Sequence, residues 1–343
     1  MNINILTYHV QKGDTIQSVA EKLGIPKEVL KRYHNTYCDL KDLIGYDLKG
    51  VREIIVPSPE TIAEFKKSQK HKEINEIFSP FYLTKDFYAS DYEVSENFTQ
   101  SGKEDLSITY SLSVKLCEIT NKDFIAEIET SDFSKADEFP DDKISQLSLS
   151  CMKNISPIAF LIPTQGKIKG FYDHKAIVKK FEDKRSDLSD FFIGEFSNDY
   201  LNTFYSNLKN ENYLLKQFCS KSLFQILFPE MNWLHSKKDW KDYYDVVPDS
   251  FPVKCHFYAE YDFENLNYLE ITIKGKIIEN CSLQELLKGV RMDEFQGEKV
   301  NGEIELKYTL HKENKQLEKI DAAITLLHEE KIYQKYRLLL TAK

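Results

Sequence analysis

The chain has 343 residues, 41% hydrophobic, 13% aromatic and 29% charged, a composition that builds sizeable cores and excludes a disordered chain. A net charge of −9, with only five Arg among 46 basic residues, argues against a general polyanion-binding surface, so nucleic acid is not an expected partner. The length suits about two domains.

The purest apolar run, Ile158 to Ile162, is far short of the roughly 20 residues a spanning helix needs, so no membrane insertion is expected. Met1 to Tyr8 carries no basic stretch leading into an apolar one. The expectation is a protein made soluble in the cytoplasm, with export left to a route that reads no N-terminal signal. Six scattered cysteines without a Cys-x-x-Cys pair read as reduced, buried thiols rather than a disulfide framework or a zinc site.

Thr7 to Gln11 alternates as a short strand, and Lys12-Gly13-Asp14 turns the chain. Asp14 stands where an N-cap belongs, with Gln17 three residues on. Ile16, Val19, Ala20 and Leu23 follow at helical spacing, and Gly24 ends the helix. Pro26 opens a second helix whose apolar face is Val29, Leu30 and Tyr33. A loop is expected from Asn35. Leu48 to Pro57 then returns extended, with Ile54 and Val56 on one face, which predicts strand–helix–helix–strand over residues 1–57.

The run Tyr8-His-Val-Gln-Lys-Gly-Asp-Thr-Ile-Gln-Ser-Val-Ala20, then Leu23-Gly24-Ile25, Val29-Leu30-Lys31 and Leu48-Lys-Gly-Val-Arg-Glu-Ile-Ile-Val-Pro57, resembles the LysM domain, a small glycan-binding module. Two departures stand out: the stretch from Asn35 to Leu48 is long for the family, and Gly50 falls one place early. The resemblance implies a groove that reads N-acetyl groups through two loops. Carried over, these are Gly13, Asp14, Thr15 and Ile16, with Ile44, Gly45 and Tyr46 from the second loop. It implies peptidoglycan or another N-acetylglucosamine polymer as partner, at the cell envelope. LysM units without export signals also serve assembly in phage baseplates and contractile injection machines, so an adaptor bound to protein components of such an assembly is the alternative.

Residues 58–77 are Lys-rich with few apolar positions and read as a linker or connecting helix. Residues 78–343 read as one α+β domain: strands over about 81–173, helices over about 174–228, a loop at 229–250, and strands over 251–342. Ile108, Tyr110, Leu112, Val114 and Leu116 alternate, and Phe124 to Ile128 follows across an Asn121-Lys-Asp turn. Leu147–Met152 and Ser156–Pro163 read as further extended runs. Helical spacing marks a short helix at Ile177 to Phe181, then Phe191 to Leu208 and Tyr213 to Phe228. The later strands are Val253 to Glu260, Tyr268 to Ile278, Ile304 to Leu310, and a hairpin turned at His328-Glu-Glu-Lys. Sequential alternating strands predict a twisted antiparallel sheet with helices inserted in mid-chain. This order of elements resembles curved-sheet carriers of the lipoprotein-carrier type, which implies an apolar-ligand carrier if the sheet leaves a cavity.

Catalytic chemistry finds no purchase. The eight histidines show no metal-binding spacing, although Asp173-His174 and His235 near Asp239 bring acid and imidazole close in sequence. Cys151 and Cys219 read as core thiols. No Gly-x-Ser-x-Gly turn or phosphate-binding glycine loop occurs, so no catalytic residue, metal or cofactor is expected. Phe191, Phe192, Phe196, Phe204 and Tyr205 read as a face packed on the sheet or, alternatively, as the lining of a ligand cavity. Trp233, Trp240, Tyr243 and Tyr244 fall in the expected polar loop, where exposed rings would serve a protein partner.

Overall fold

A computed structural model describes residues 6–66, 82–119, 123–136, 138–235, 239–292 and 299–343. The chain divides into two compact units, Met1–Phe78 and Ser79–Lys343. The Asn121-Lys turn and residues 67–77 of the expected linker lie outside the described residues.

The first unit is β1 (Leu6–His9), α1 (Ile16–Leu23), α2 (Lys27–Tyr37) and β2 (Glu53–Val56), with β1 and β2 antiparallel; a further helix, α3, covers residues 59–66. Val19, Ala20, Leu30, Ile44 and Ile54 make its core. Two details differ from expectation. Thr15, not Asp14, caps α1: its hydroxyl accepts from Ser18 N while Ser18 Oγ accepts from Thr15 N. Asn35 does not begin a loop but sits in α2. Its side chain clamps the following segment, donating to Ile44 O at 3.1 Å and accepting from Ile44 N at 2.9 Å. His34 is 1% exposed and ties the same region together. It accepts from Ile55 N at Nδ1 and meets Asp42 O at Nε2, which places its proton on Nε2.

The second unit is built on one antiparallel sheet of eleven strands. The strands are β3 (Asp91–Gln100), β4 (Leu106–Glu118), β5 (Asp123–Lys135), β6 (Ile158–Pro163), β7 (Gly170–Phe171), β8 (Asp239–Tyr244), β9 (Val253–Asp262), β10 (Tyr268–Ile277), β11 (Asn301–His311), β12 (Leu317–His328) and β13 (Lys331–Ala342). Their order across the sheet is β7-β6-β5-β4-β3-β13-β12-β11-β10-β9-β8. The chain thus enters at the middle and meanders to one edge. Helices α5 (His174–Phe191), α6 (Glu195–Lys209), α7 (Glu211–Cys219) and α8 (Ser222–Leu227) carry it to the other edge, and it meanders back until β13 pairs with β3. A short α9 (Leu283–Lys288) lies between β10 and β11.

The sheet is curled. Ten strand spacings laid flat would separate its edges by about 48 Å. Yet Lys167, in the β6–β7 turn at one edge, reaches Asp242 on β8 at the other, at 3.9 Å. Gly166 bridges Glu230, Met231 N donates to Gln165 O at 2.8 Å, and Lys167 pairs with Glu230 at 2.8 Å. Gly166 has φ +87, and a Cβ there would lie 2.1 Å from Pro229 O, so this clasp admits only glycine.

Three sequence expectations give way here. Leu147–Met152 is not extended but lies in α4 (Lys143–Ile155), which Asp142 caps. Its serines hide the helical spacing of Leu147, Cys151 and Ile155, all buried. The helical stretch from Phe191 breaks at Gly194 (φ 126) into the ends of α5 and α6. The 229–250 loop holds a 3-10 turn at Met231–Trp233 and the edge strand β8. Among the described residues, no helix is long and apolar enough to cross a membrane.

Candidate functional site

The concave face of the sheet is covered unevenly. Over β8–β11, α8 and a ring cluster fill it. Trp233, Trp240, Tyr244 and Phe257 lie with centroids 4.8–6.3 Å apart. Tyr88 and Tyr308 donate to Leu227 O and Ile226 O, satisfying carbonyls at the end of α8. Three of the four aromatics expected to be exposed are therefore core: Trp233, Trp240 and Tyr244 are 3%, 9% and 3% exposed, and only Tyr243 faces solvent. Alternation within β8 sends Trp240 and Tyr244 inward. A smaller cavity of about 200 Å³ adjoins Trp233, Tyr244, Asp245 and Lys167.

Over β3–β6 and β13 the concave face is hollow. A cavity of about 830 Å³ lies between these strands and α4, α6, α7 and α8. Phe98, Ile108, Tyr110, Ile128, Phe133, Ile158 and Phe160 line it from the sheet side, and Ile144, Leu149, Met152, Phe204, Phe218, Leu223 and Phe224 from the helices. Two local features shape the wall. In β5, Asp132 (φ 56) and Phe133 together lie opposite Tyr110, a β-bulge that turns Phe133 inward. Its ring stacks on Tyr110 at 5.0 Å.

The second feature is one carboxylate set in this apolar wall. Tyr92, Val94, Glu96 and Phe98 share the inward face of β3. Tyr110 donates to Glu96 Oε1 at 2.5 Å and Tyr336 donates to Oε2 at 2.8 Å. The tyrosines are 5% and 4% exposed. Burial first, then the neighbouring Glu96 charge, holds both phenols well above their usual value, so they remain protonated donors. Lys135 and Lys221 also line the cavity. Lys135, Ile108, Glu96 and Leu338 form one row across four strands.

Of the aromatic stripe, Phe192 is core, Phe204 lines the cavity, and Phe191 and Phe196 are largely exposed. Tyr205 packs its ring toward Phe181 of α5 and donates to Glu182.

In the first unit, the sequence-expected glycan residues are divided. Asp14 has a side chain only 8% exposed. It accepts from Gln11 N, Tyr8 Oη and Lys22 Nζ at 2.9–3.0 Å, so its oxygens are committed within the unit. Thr15 is the helix cap, and Ile44 is core at 2% exposure. Ile16 packs against that core from a half-buried position. Gly13, Gly45 and Tyr46 are accessible: a Cβ at either glycine would meet nothing within 4 Å, and Tyr46 is fully exposed.

All six cysteines are free thiols. Burial pushes Cys151 and Cys255 up to about 12 and Cys219 and Cys281 up to about 11, which makes them inert at neutral pH. No cluster among the described residues has the makeup of a metal site. His174 meets Leu208 O, and His256 pairs with Asp239 at 3.2 Å at the surface.

No protein-family model matches the chain, and no curated protein matches it. Among solved structures, one described as lipid–protein interactions in lipovitellin aligns with 75% of this chain at 8% identity and a TM-score of 0.34. This chain spans 25% of that one.

Proposed function

We propose that the second unit is a non-enzymatic binding domain for an apolar small molecule, held between the hollow half of the sheet and the helices that cover it. The observation that carries this is the cavity of about 830 Å³, a size in the range of small-molecule sites, with mostly apolar walls interrupted by Glu96, two lysines and several hydroxyls. Ser148 of α4 lines it without belonging to the sheet core, so a bulky residue there fills the space and spares the fold. A neutral fluorescent apolar probe is expected to bind the full chain saturably, and Ser148→Trp to abolish binding while the thermal melt is unchanged or raised. Binding that survives Ser148→Trp would place the probe elsewhere and remove this reading.

A second reading concerns the first unit, where the LysM resemblance supports docking to an N-acetylglucosamine polymer such as peptidoglycan. The favouring observation is the accessible set Gly13, Gly45 and Tyr46. Tyr46 would stack on a sugar face. An assembly partner in an injection machine would use the same surface. Sedimentation of the full chain with insoluble peptidoglycan and with chitin, lost in Tyr46→Ala, supports the glycan. No sedimentation of the folded wild type sinks it.

A further inference from the structure

The polar group on the cavity wall says what kind of head an apolar ligand carries, an inference that rests on the cavity reading above. Glu96 presents two oxygens, and each takes a proton from a buried tyrosine. A carboxylate has about four lone-pair positions, so roughly two remain open. Both phenol protons are spent on Glu96, and what Tyr110 and Tyr336 can still offer is lone pairs. The three side chains together thus form an acceptor-only surface within an apolar wall.

Beside Glu96 a ligand head that only accepts hydrogen bonds finds no donor and an anionic head meets like charge, so such a head is left to hydroxyls elsewhere in the lining, among them Thr130, Ser134 and Ser148. A head that donates can bond to Glu96 or to either phenol oxygen. Burying a polar head without a partner forfeits its hydration with nothing in exchange, so the discrimination is substantial. Lys135 and Lys221 also line the cavity, but both are exposed, where a charge pair is worth little. We infer that the cavity selects an apolar molecule ending in a hydrogen-bond-donating head, a hydroxyl or an ammonium, and discriminates against one ending in a carboxylate, with Glu96 as the specificity-determining residue.

The test is calorimetric titration of the full chain at neutral pH with 1-dodecanol, dodecylamine and dodecanoate, the alcohol below its solubility limit and the two ionic amphiphiles below their micellar concentrations. The chain length is constant, so only the head varies. The expected result is that dodecanol and dodecylamine bind at least about tenfold tighter than dodecanoate, the scale of one hydrogen bond to a charged group. Glu96→Gln, which offers an amide donor in place of a charge, should narrow that gap. Tyr336→Phe frees one carboxylate oxygen and should widen it. Tyr336→Phe also keeps the test decisive should Glu96→Gln fail to fold. Dodecanoate binding as tightly as dodecanol, or a gap unmoved in both variants, overturns the inference and leaves the cavity reading standing. Absence of binding by all three to the folded chain overturns the cavity reading and the inference with it.

Discussion

The two halves of the curled sheet carry the same inward alternation of apolar residues and end in opposite states. On β9 and β10, Cys255, Phe257, Ile271 and Ile273 are fully buried under rings and α8. Gly275 even leaves out a side chain to admit Phe257, whose ring would lie 2.4 Å from a Cβ there. On β3 to β5, Glu96, Phe98, Ile108 and Phe133 point inward in the same fashion but stay half-buried, because α4, α6 and α7 stand off from them. The lesson is that strand patterning decides which face is covered, whereas the reach of the covering helices decides whether it is filled. A hollow under a sheet therefore reflects the helices more than the strands.

Matched truncations test that contrast. Phe257→Ala removes a ring from a close-packed cluster and should cost about 3–5 kcal/mol. Phe133→Ala only enlarges space that already exists and should cost about 1–2 kcal/mol, mostly lost transfer and the Tyr110 ring pair. Both are read from denaturant unfolding followed by intrinsic fluorescence, since both tryptophans sit in the packed half. Equal costs would break the comparison. At the clasp between the sheet edges, Gly166→Val adds left-handed strain to a collision with Pro229 and should cost roughly 3 kcal/mol. A smaller effect of opposite sign is expected at Tyr244. Its hydroxyl is buried and makes no hydrogen bond among the described residues. Tyr244→Phe should thus stabilise the packed half by about 1 kcal/mol, while a loss would show that the hydroxyl has a partner.

The strands at 251–342 were legible in the sequence because each alternates cleanly and is bounded by turn residues. The His328-Glu-Glu-Lys hairpin is a case in point: Glu329 (φ 48) and Glu330 (φ 60) make the turn. Helix α4 was not, since Leu147-Ser-Leu-Ser-Cys alternates like a strand while its buried set follows a helical period. Strand β8 was masked by polar residues between Trp240 and Tyr244, and its rings read as exposed because no apolar run surrounds them. The polar focus of the cavity had one sequence signal, a carboxylate at an inward position of Tyr92-x-Val94-x-Glu96-x-Phe98. Its partners could not be read, because Tyr336 is 240 residues away and meets Glu96 only through the β13–β3 pairing that joins the two ends of the unit.

The first unit supplies the mildest contrast, a polar network where the cavity has a polar focus. Hydrogen bonds from Gln11 N, Lys22 and Tyr8 hold the Asp14 carboxyl below its usual value of 3.8. The same network, through Tyr8 and then Asp14, holds Lys22 above its usual 10.5. The two signs bound a window. A lowered acid stabilises fully above its unfolded value and loses that contribution as pH falls through the folded one. A raised base stabilises fully below its unfolded value and loses that contribution as pH rises through the folded one. Protection of the Gln11 amide, corrected for intrinsic exchange, should therefore be level between about pH 4 and 10 and fall outside those limits. Asp14→Asn keeps an acceptor for Gln11 but removes the charge, so protection should be lower and the acid-side fall should vanish. An acid-side fall that persists in Asp14→Asn would assign the network's pH dependence to another group.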